Sequence, residues 1–143
     1  MRIAFAADDE NETTRAVVEH LVSGGHEVLD VRAEHVPWPA LGERVGRAVV
    51  DGAADLGVVM CWTGTGTAIA ANKVPGVLAA VAWDPWIARG ARLWNDANVL
   101  AMSLKRLAPD VAVEVLQAFL DVPAPDPDEA ENIALLRRSV TNP

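Results

Sequence analysis

The residues best suited to chemistry fall in one short stretch, Cys61-Trp62-Thr63-Gly64-Thr65-Gly66-Thr67. It directly follows the apolar run LGVVMC and directly precedes an Ile69-Ala70-Ala71 segment of helical character. Backbone N–H groups in a glycine-rich turn ahead of a helix can converge on an anion. That anion could be a phosphate, or the enediolate oxygen formed when a proton leaves a carbon next to a carbonyl. The same residues also suit a plain tight turn. The G-x-G spacing after the third strand is not the dinucleotide fingerprint, and the stretch lacks the lysine of a P-loop. At the mouth of the turn, Cys61 is either a general base or nucleophile activated by the helix dipole, or a small buried hydrophobe at a strand end.

Other polar residues stand at comparable positions. Asp8 and Asp9 end the first apolar run, where they could hold substrate hydroxyls or cap the helix that follows. Trp94-Asn95-Asp96-Ala97-Asn98 precedes the fifth predicted strand. There Asn95 could reach a ligand, or the Asn and Asp residues could simply build a turn. The chain has five Trp and no Tyr, and Trp62, Trp83, Trp86 and Trp94 fall in or beside ligand-facing loops, to wall a pocket or to meet another subunit. His20, His26 and His35 show no metal-ligand spacing, so neither a metal site nor a Ser-His triad is indicated.

The elements that must position these residues alternate along the chain. Strands are read at residues 2–7 (RIAFAA), 26–31 (HEVLDV), 56–61 (LGVVMC), 77–82 (VLAAVA) and 98–102 (NVLAM). Helices are read at about 13–22, 39–52, 84–93 and after Pro109, with residues 56–61 forming the central strand buried on both faces. This pattern predicts a parallel sheet covered by helices on both sides, with ligands bound beyond the C-terminal ends of the strands. The loops after Ala7, Cys61, Ala82 and Met102 are therefore the ones expected to carry function. Residues 121–128 (DVPAPDPD) read as an extended acidic connector leading to a last helix near Pro127, packed outside the main domain and reaching toward a second subunit.

At 143 residues the chain is sized for one main domain, and its net charge of −8 disfavours nucleic acids and anionic membranes. A single cysteine, no secretory layout at the start and no apolar run of membrane-spanning length set the expected address as cytoplasmic.

The sequence resembles the family of ribose-5-phosphate isomerase B and the galactose-6-phosphate isomerase subunits. The resemblance is carried by RIAFAADD at the start, GHEVLDV (25–31), CWTGTGTAIAANKVPGVLAA (61–80) and NDANVLAM (95–102), and covers residues 1 to about 121. It implies a three-layer α/β/α sandwich with a five-stranded parallel, Rossmann-like sheet. The implied activity is cofactor-free aldose–ketose isomerisation in a homodimer or tetramer with active sites between subunits. Carried over residue by residue, Cys61 is the base that moves a proton between C1 and C2 through a cis-enediol, and Thr63 assists proton movement at the substrate oxygens. The backbone of Gly64, Thr65, Gly66 and Thr67 forms the anion hole, and Asp8 and Asn95 hold hydroxyls.

The departures from the family pattern concern the same site. Asp9 and Trp94 stand where relatives usually carry His, the second of these being associated with opening the sugar ring. Bulky Trp62 follows the cysteine and should reshape the pocket. The segment PDEAENI (127–133) stands where relatives carry phosphate-clamping arginines, leaving Lys105 as a cation near the pocket. Like charges in a partly desolvated pocket repel a phosphate. The expected substrate is accordingly a polyhydroxy carbonyl compound that is non-phosphorylated or already acyclic. The rivals are an ordinary pentose- or hexose-phosphate isomerase, using Lys105, Arg89, Arg92 or the distal Arg137 and Arg138, and a non-catalytic sugar-binding relative. Residues 1–121 are expected to form the isomerase domain and residues 122–143 a connector and helix at a subunit interface.

Overall fold

The computed structural model describes residues 1–32 and 35–139. Its five strands are β1 (Arg2–Ala7), β2 (Glu27–Asp30), β3 (Leu56–Cys61), β4 (Ala79–Val81) and β5 (Val99–Ser103). They form one parallel sheet in the order β2-β1-β3-β5-β4. The helices are α1 (Glu12–Ser23), α2 (Trp38–Val50), α3 (Thr65–Ala71), α4 (Pro85–Asn95), α5 (Pro109–Leu120) and α6 (Ala130–Ser139). The expected three-layer α/β/α sandwich with an extra C-terminal helix is thus present. Among the described residues, no helix is long and apolar enough to cross a membrane.

The central strand is buried along its whole length, and its side chains alternate between two cores, as the period of a strand requires. Leu56, Val58 and Met60 join Ile3, Phe5, Leu100 and Met102 beneath α1, α4 and α5. On the other face Val59 joins Ala4, Ala6, Val99 and Ala101 beneath α2 and α3. Cys61 continues the α2/α3 side of this alternation, which places its sulfur under the start of α3.

The edge strands are shorter than their sequence patterns suggest. β2 retains Glu27–Asp30 of the predicted 26–31, with only Val28 partly buried. β4 retains Ala79–Val81 of the predicted 77–82, partly buried rather than core. At β4 the Asn72 amide takes the place of a missing sixth strand. Its Nδ2 donates to the Ala79 carbonyl at 2.9 Å, and its Oδ1 accepts from the Ala79 N–H at 2.8 Å. Replacing Asn72 by Leu leaves both edge groups to water, and the loss expected in urea unfolding is about 1 kcal/mol.

The strand order also locates a crevice. From β1 the chain moves outward to β2, and from β3 it moves the opposite way toward β4. The loops after β1 and β3 therefore diverge and leave a gap at the C-terminal ends of these strands, the switch point where ligands bind in open α/β sheets.

After α5 the chain folds back against the far end of α4. The Asp126 N–H donates to the Leu93 carbonyl at 2.7 Å, Val122 and Ile133 are buried, and Arg137 pairs with Asp96.

Candidate active site

A cleft of about 510 Å³ occupies the switch point, lined by Asp8, Trp38, Cys61, Trp62, Thr63, Thr65 and Gly66. Cys61 ends β3 at its floor and is 5% exposed. The turn after it is built to hold the sulfur. The Gly64 N–H donates to Sγ at 3.2 Å and the Thr67 hydroxyl at 3.3 Å. Burial pushes the thiol pKa up, but the Thr67 hydroxyl and the backbone N–H groups of Thr67, Gly64 and Thr63 outweigh it, so the thiol titrates below its ordinary value. Part of the glycine turn is thus directed at the Cys61 sulfur, while the Thr65 N–H is taken by Thr63 Oγ1.

Two glycines make the turn possible. Gly64 has φ +79°, and a Cβ there would lie 2.9 Å from the Met102 carbonyl carbon. A Cβ on Gly66 would lie 2.8 Å from the Trp38 ring, so its bare backbone seats that indole at the cleft wall. Ser103 ties the turn to the loop after β5: its Oγ donates to the Trp62 carbonyl at 2.5 Å and accepts from the Lys105 and Arg106 N–H groups. The Lys105 ammonium stands 4.6 Å from the centre of the Trp62 ring, a cation–π contact at the rim.

Thr63 stands exposed in the cleft, its Oγ1 2.7 Å from that of Thr65 and accepting from the Thr65 N–H. Thr67 is fully buried, so its side chain serves the sulfur and cannot touch a substrate. Asp8 lines the cleft, and burial together with the neighbouring Asp9 carboxylate holds it above the usual carboxylate range. Asp9 instead turns its carboxylate to the Glu10 N–H. Neither caps α1; that role falls to Asn11, whose Oδ1 accepts from the Thr14 N–H at 3.0 Å.

Trp94 and Asn95 are not brought to this cleft within one chain. They end α4, which runs antiparallel to the strands, and so lie at the opposite edge of the sheet. There they line a second cleft of about 530 Å³ with Glu129, Asn132, Leu135 and Leu136. Trp94 packs edge-on against Trp86, with ring centroids 5.4 Å apart. The cations of the phosphate-holding alternative are largely committed elsewhere. Arg92 is buried, bonded to Asp96 and to the Ala97 carbonyl, and stands over Phe119. Arg137 pairs with Asp96.

Trp38 and Ser103 escaped the sequence reading. The loop after β2 opens on the same sheet edge as the others, and the Trp-Pro pair at a helix start was the available signal for Trp38. Ser103 bears no motif; its role follows only from the pairing of β5 with β3.

A family model described as Ribose/Galactose Isomerase matches residues 3–136. The chain belongs to the ribose/galactose isomerase family. The isomerase is 36% identical over 123 residues to ribose-5-phosphate isomerase B of Escherichia coli, covering 83% of each chain. It superposes on the Clostridium thermocellum ribose-5-phosphate isomerase B structure with TM-score 0.88 and 33% identity, covering 97% of both chains. The Mycoplasma genitalium ribose-5-phosphate isomerase B structure, which holds ribulose-5-phosphate, gives TM-score 0.88 and 27% identity, covering 99% of this chain and 97% of the other. The protein is thus an aldose–ketose isomerase with the fold of these relatives.

Proposed function

We propose that the isomerase moves a proton between C1 and C2 of a non-phosphorylated polyhydroxy carbonyl compound, with Cys61 as the base. In the aldose-to-ketose direction the Cys61 thiolate takes the C2 proton and becomes a thiol. The C1 carbonyl oxygen gains a proton and the C2 hydroxyl loses one, a relay assisted by Thr63, and the thiol proton returns to C1. A thiol held below its ordinary pKa is more readily available as the thiolate base this chemistry needs, and the hydrogen bonds to Sγ hold it there. Asp8 holds a substrate hydroxyl, and Trp62 and Trp38 give apolar walls to the carbon chain.

The observation that carries the substrate class is the charge of the clefts. No Lys or Arg is among the residues lining either one, and each carries a carboxylate, Asp8 in the first and Glu129 in the second. A phosphate ester would meet these carboxylates without a bidentate partner, whereas hydroxyls suit carboxylate, amide and indole groups. Because Trp94, Asn95 and Glu129 lie at the far sheet edge, they serve the Cys61 cleft only from a second copy of the chain, so the active unit is a homodimer or a tetramer built from such pairs.

Thermal unfolding with matched ligands tests this reading. Non-phosphorylated aldoses or ketoses are expected to raise the midpoint, corresponding to about 2.7 kcal/mol at a hundredfold excess over Kd. Their phosphate esters are expected to leave it unmoved. A shift with the esters alone would favour an ordinary sugar-phosphate isomerase. That second reading draws support from Lys105 at the rim and from the ribulose-5-phosphate held by the Mycoplasma genitalium relative.

A further inference from the structure

A base that takes up and gives back a proton in each turnover must be stable in both protonation states, and the surroundings of Cys61 contain a device suited to this. Thr67, on the first turn of α3, is fully buried. Its Oγ1 lies 3.3 Å from Cys61 Sγ and also 3.3 Å from the Gly64 carbonyl oxygen. A threonine hydroxyl has one proton to donate and lone pairs to accept with, so it can serve only one of these acceptors fully at a time. The Gly64 carbonyl is not left unpaired when the hydroxyl turns away, because it also accepts the Ala68 N–H at 3.2 Å.

We propose that Thr67 is a positioning residue whose single hydroxyl rotates with the protonation of Cys61, donating to the sulfur when it is a thiolate and to the Gly64 carbonyl when it is a thiol. In the thiolate state the O–H points at Sγ and adds to the bond from the Gly64 N–H. When the sulfur takes the substrate proton, the O–H turns to the Gly64 carbonyl, and the new S–H donates to the vacated Oγ1 lone pair. No proton leaves the pair. The buried hydroxyl reverses direction without exposing a bare donor or acceptor, which would be costly away from water.

The titratable groups near the sulfur are Asp8, from the end of β1, and Lys105, from the loop after β5 and set over Trp62. α2 presents Trp38 to the cleft, and α3 presents Thr65 and Gly66. The rotor is thus the buried polar side chain that contacts Sγ directly.

The inference rests on Cys61 as the base, but its test does not need turnover. Cys61 is the chain's one cysteine, so the pH dependence of its alkylation by iodoacetamide reports its titration without interference. Thr67→Val keeps the branched shape and removes the hydroxyl. The alkylation midpoint is expected to rise by about one pH unit, the scale of one hydrogen bond to an anion. Thr67→Ser is expected to restore it. With substrate, T67V is expected to move the acidic limb of the kcat profile upward while KM stays within about twofold. If circular dichroism shows T67V unfolded, Thr67→Ala replaces it with the same expectation. An unmoved midpoint in the folded variant, or a Ser variant that fails to restore it, overturns the proposal. So does a wild-type S–H infrared stretch at the frequency of an unbonded thiol. Cys61→Ala with undiminished turnover, alongside a shifted T67V midpoint, would instead sink the base assignment and leave the rotor standing.

Discussion

Cys61→Ala is expected to slow the exchange of the substrate C2 proton with solvent by at least about a thousandfold, within the range attributed to a positioned general base. The fold should survive, because the side chain is small and lies at the floor of the cleft, outside both packed cores. Cys61→Ser should be nearly as inactive, since a hydroxyl held by the same donors is a far weaker acid than a thiol. The pH profile carries a sign. In the proposed mechanism the thiolate is the active form, so kcat/KM is expected to fall as pH drops through the thiol pKa of the folded protein. The bonds from Thr67, Gly64 and Thr63 hold that pKa below its ordinary value. The acidic limb is accordingly expected below the free-thiol value of about 8.5, and the alkylation profile should follow it. An acidic limb above that value would mean that burial dominates and that another group is the base.

Gly64→Ala is the second large effect. The residue sits at φ +79°, where an L side chain is strained, and the added Cβ would meet backbone, the Met102 carbonyl carbon at 2.9 Å and its oxygen at 3.1 Å. Backbone in the middle of a sheet has little room to give. The expected cost is about 2–4 kcal/mol in urea unfolding, combining left-handed strain with the clash. The Gly64 N–H would be carried off the sulfur at the same time, so kcat should fall by more than about a hundredfold. Gly66→Ala is the internal control. Its Cβ meets the ring of Trp38, a half-exposed side chain that can swing aside, so its penalty should be mainly in KM. Equal losses in the two variants would show that the turn is sensitive to any side chain rather than to the geometry at Gly64.

The parts of the fold that the sequence made legible were those with burial on both faces. LGVVMC and RIAFAA have no polar interruption, and their strands match the predicted bounds. The edge strands did not, because a strand's end there depends on partners outside it. Asn72 and Asn98 occupy backbone groups of residues 76–79, and no periodicity in VLAAVA announces this. At the site, the glycine turn and Asp8 came together as their positions at strand ends implied. Within one chain Asn95 and Trp94 did not, and the signal was present: α4 begins at the ligand edge after β4, so its last turn must lie at the other edge. That the Gly64 N–H meets the Cys61 sulfur is not legible in the sequence, because a turn's amides can be located there but not the nearest acceptor they find. The burial of the Thr67 side chain is hidden for a similar reason, since nothing local marks the third residue of a helix as facing the strand behind it. Arg92 looked available as a phosphate ligand until its guanidinium was found buried against Asp96 and Phe119. The surplus of acidic residues, a bulk property in the composition, places a carboxylate in each of the two clefts as Asp8 and Glu129.

The most direct test is deuterium incorporation from heavy water, followed by proton NMR at C1 and C2, for a non-phosphorylated aldose–ketose pair and its phosphate ester side by side. The wild-type isomerase is expected to label the non-phosphorylated pair with at least about tenfold higher kcat/KM than the ester, roughly the 1.4 kcal/mol of a lost favourable contact. Cys61→Ser is expected to label neither. Efficient labelling of the ester with the non-phosphorylated pair untouched, or labelling that persists in Cys61→Ser, would contradict the account.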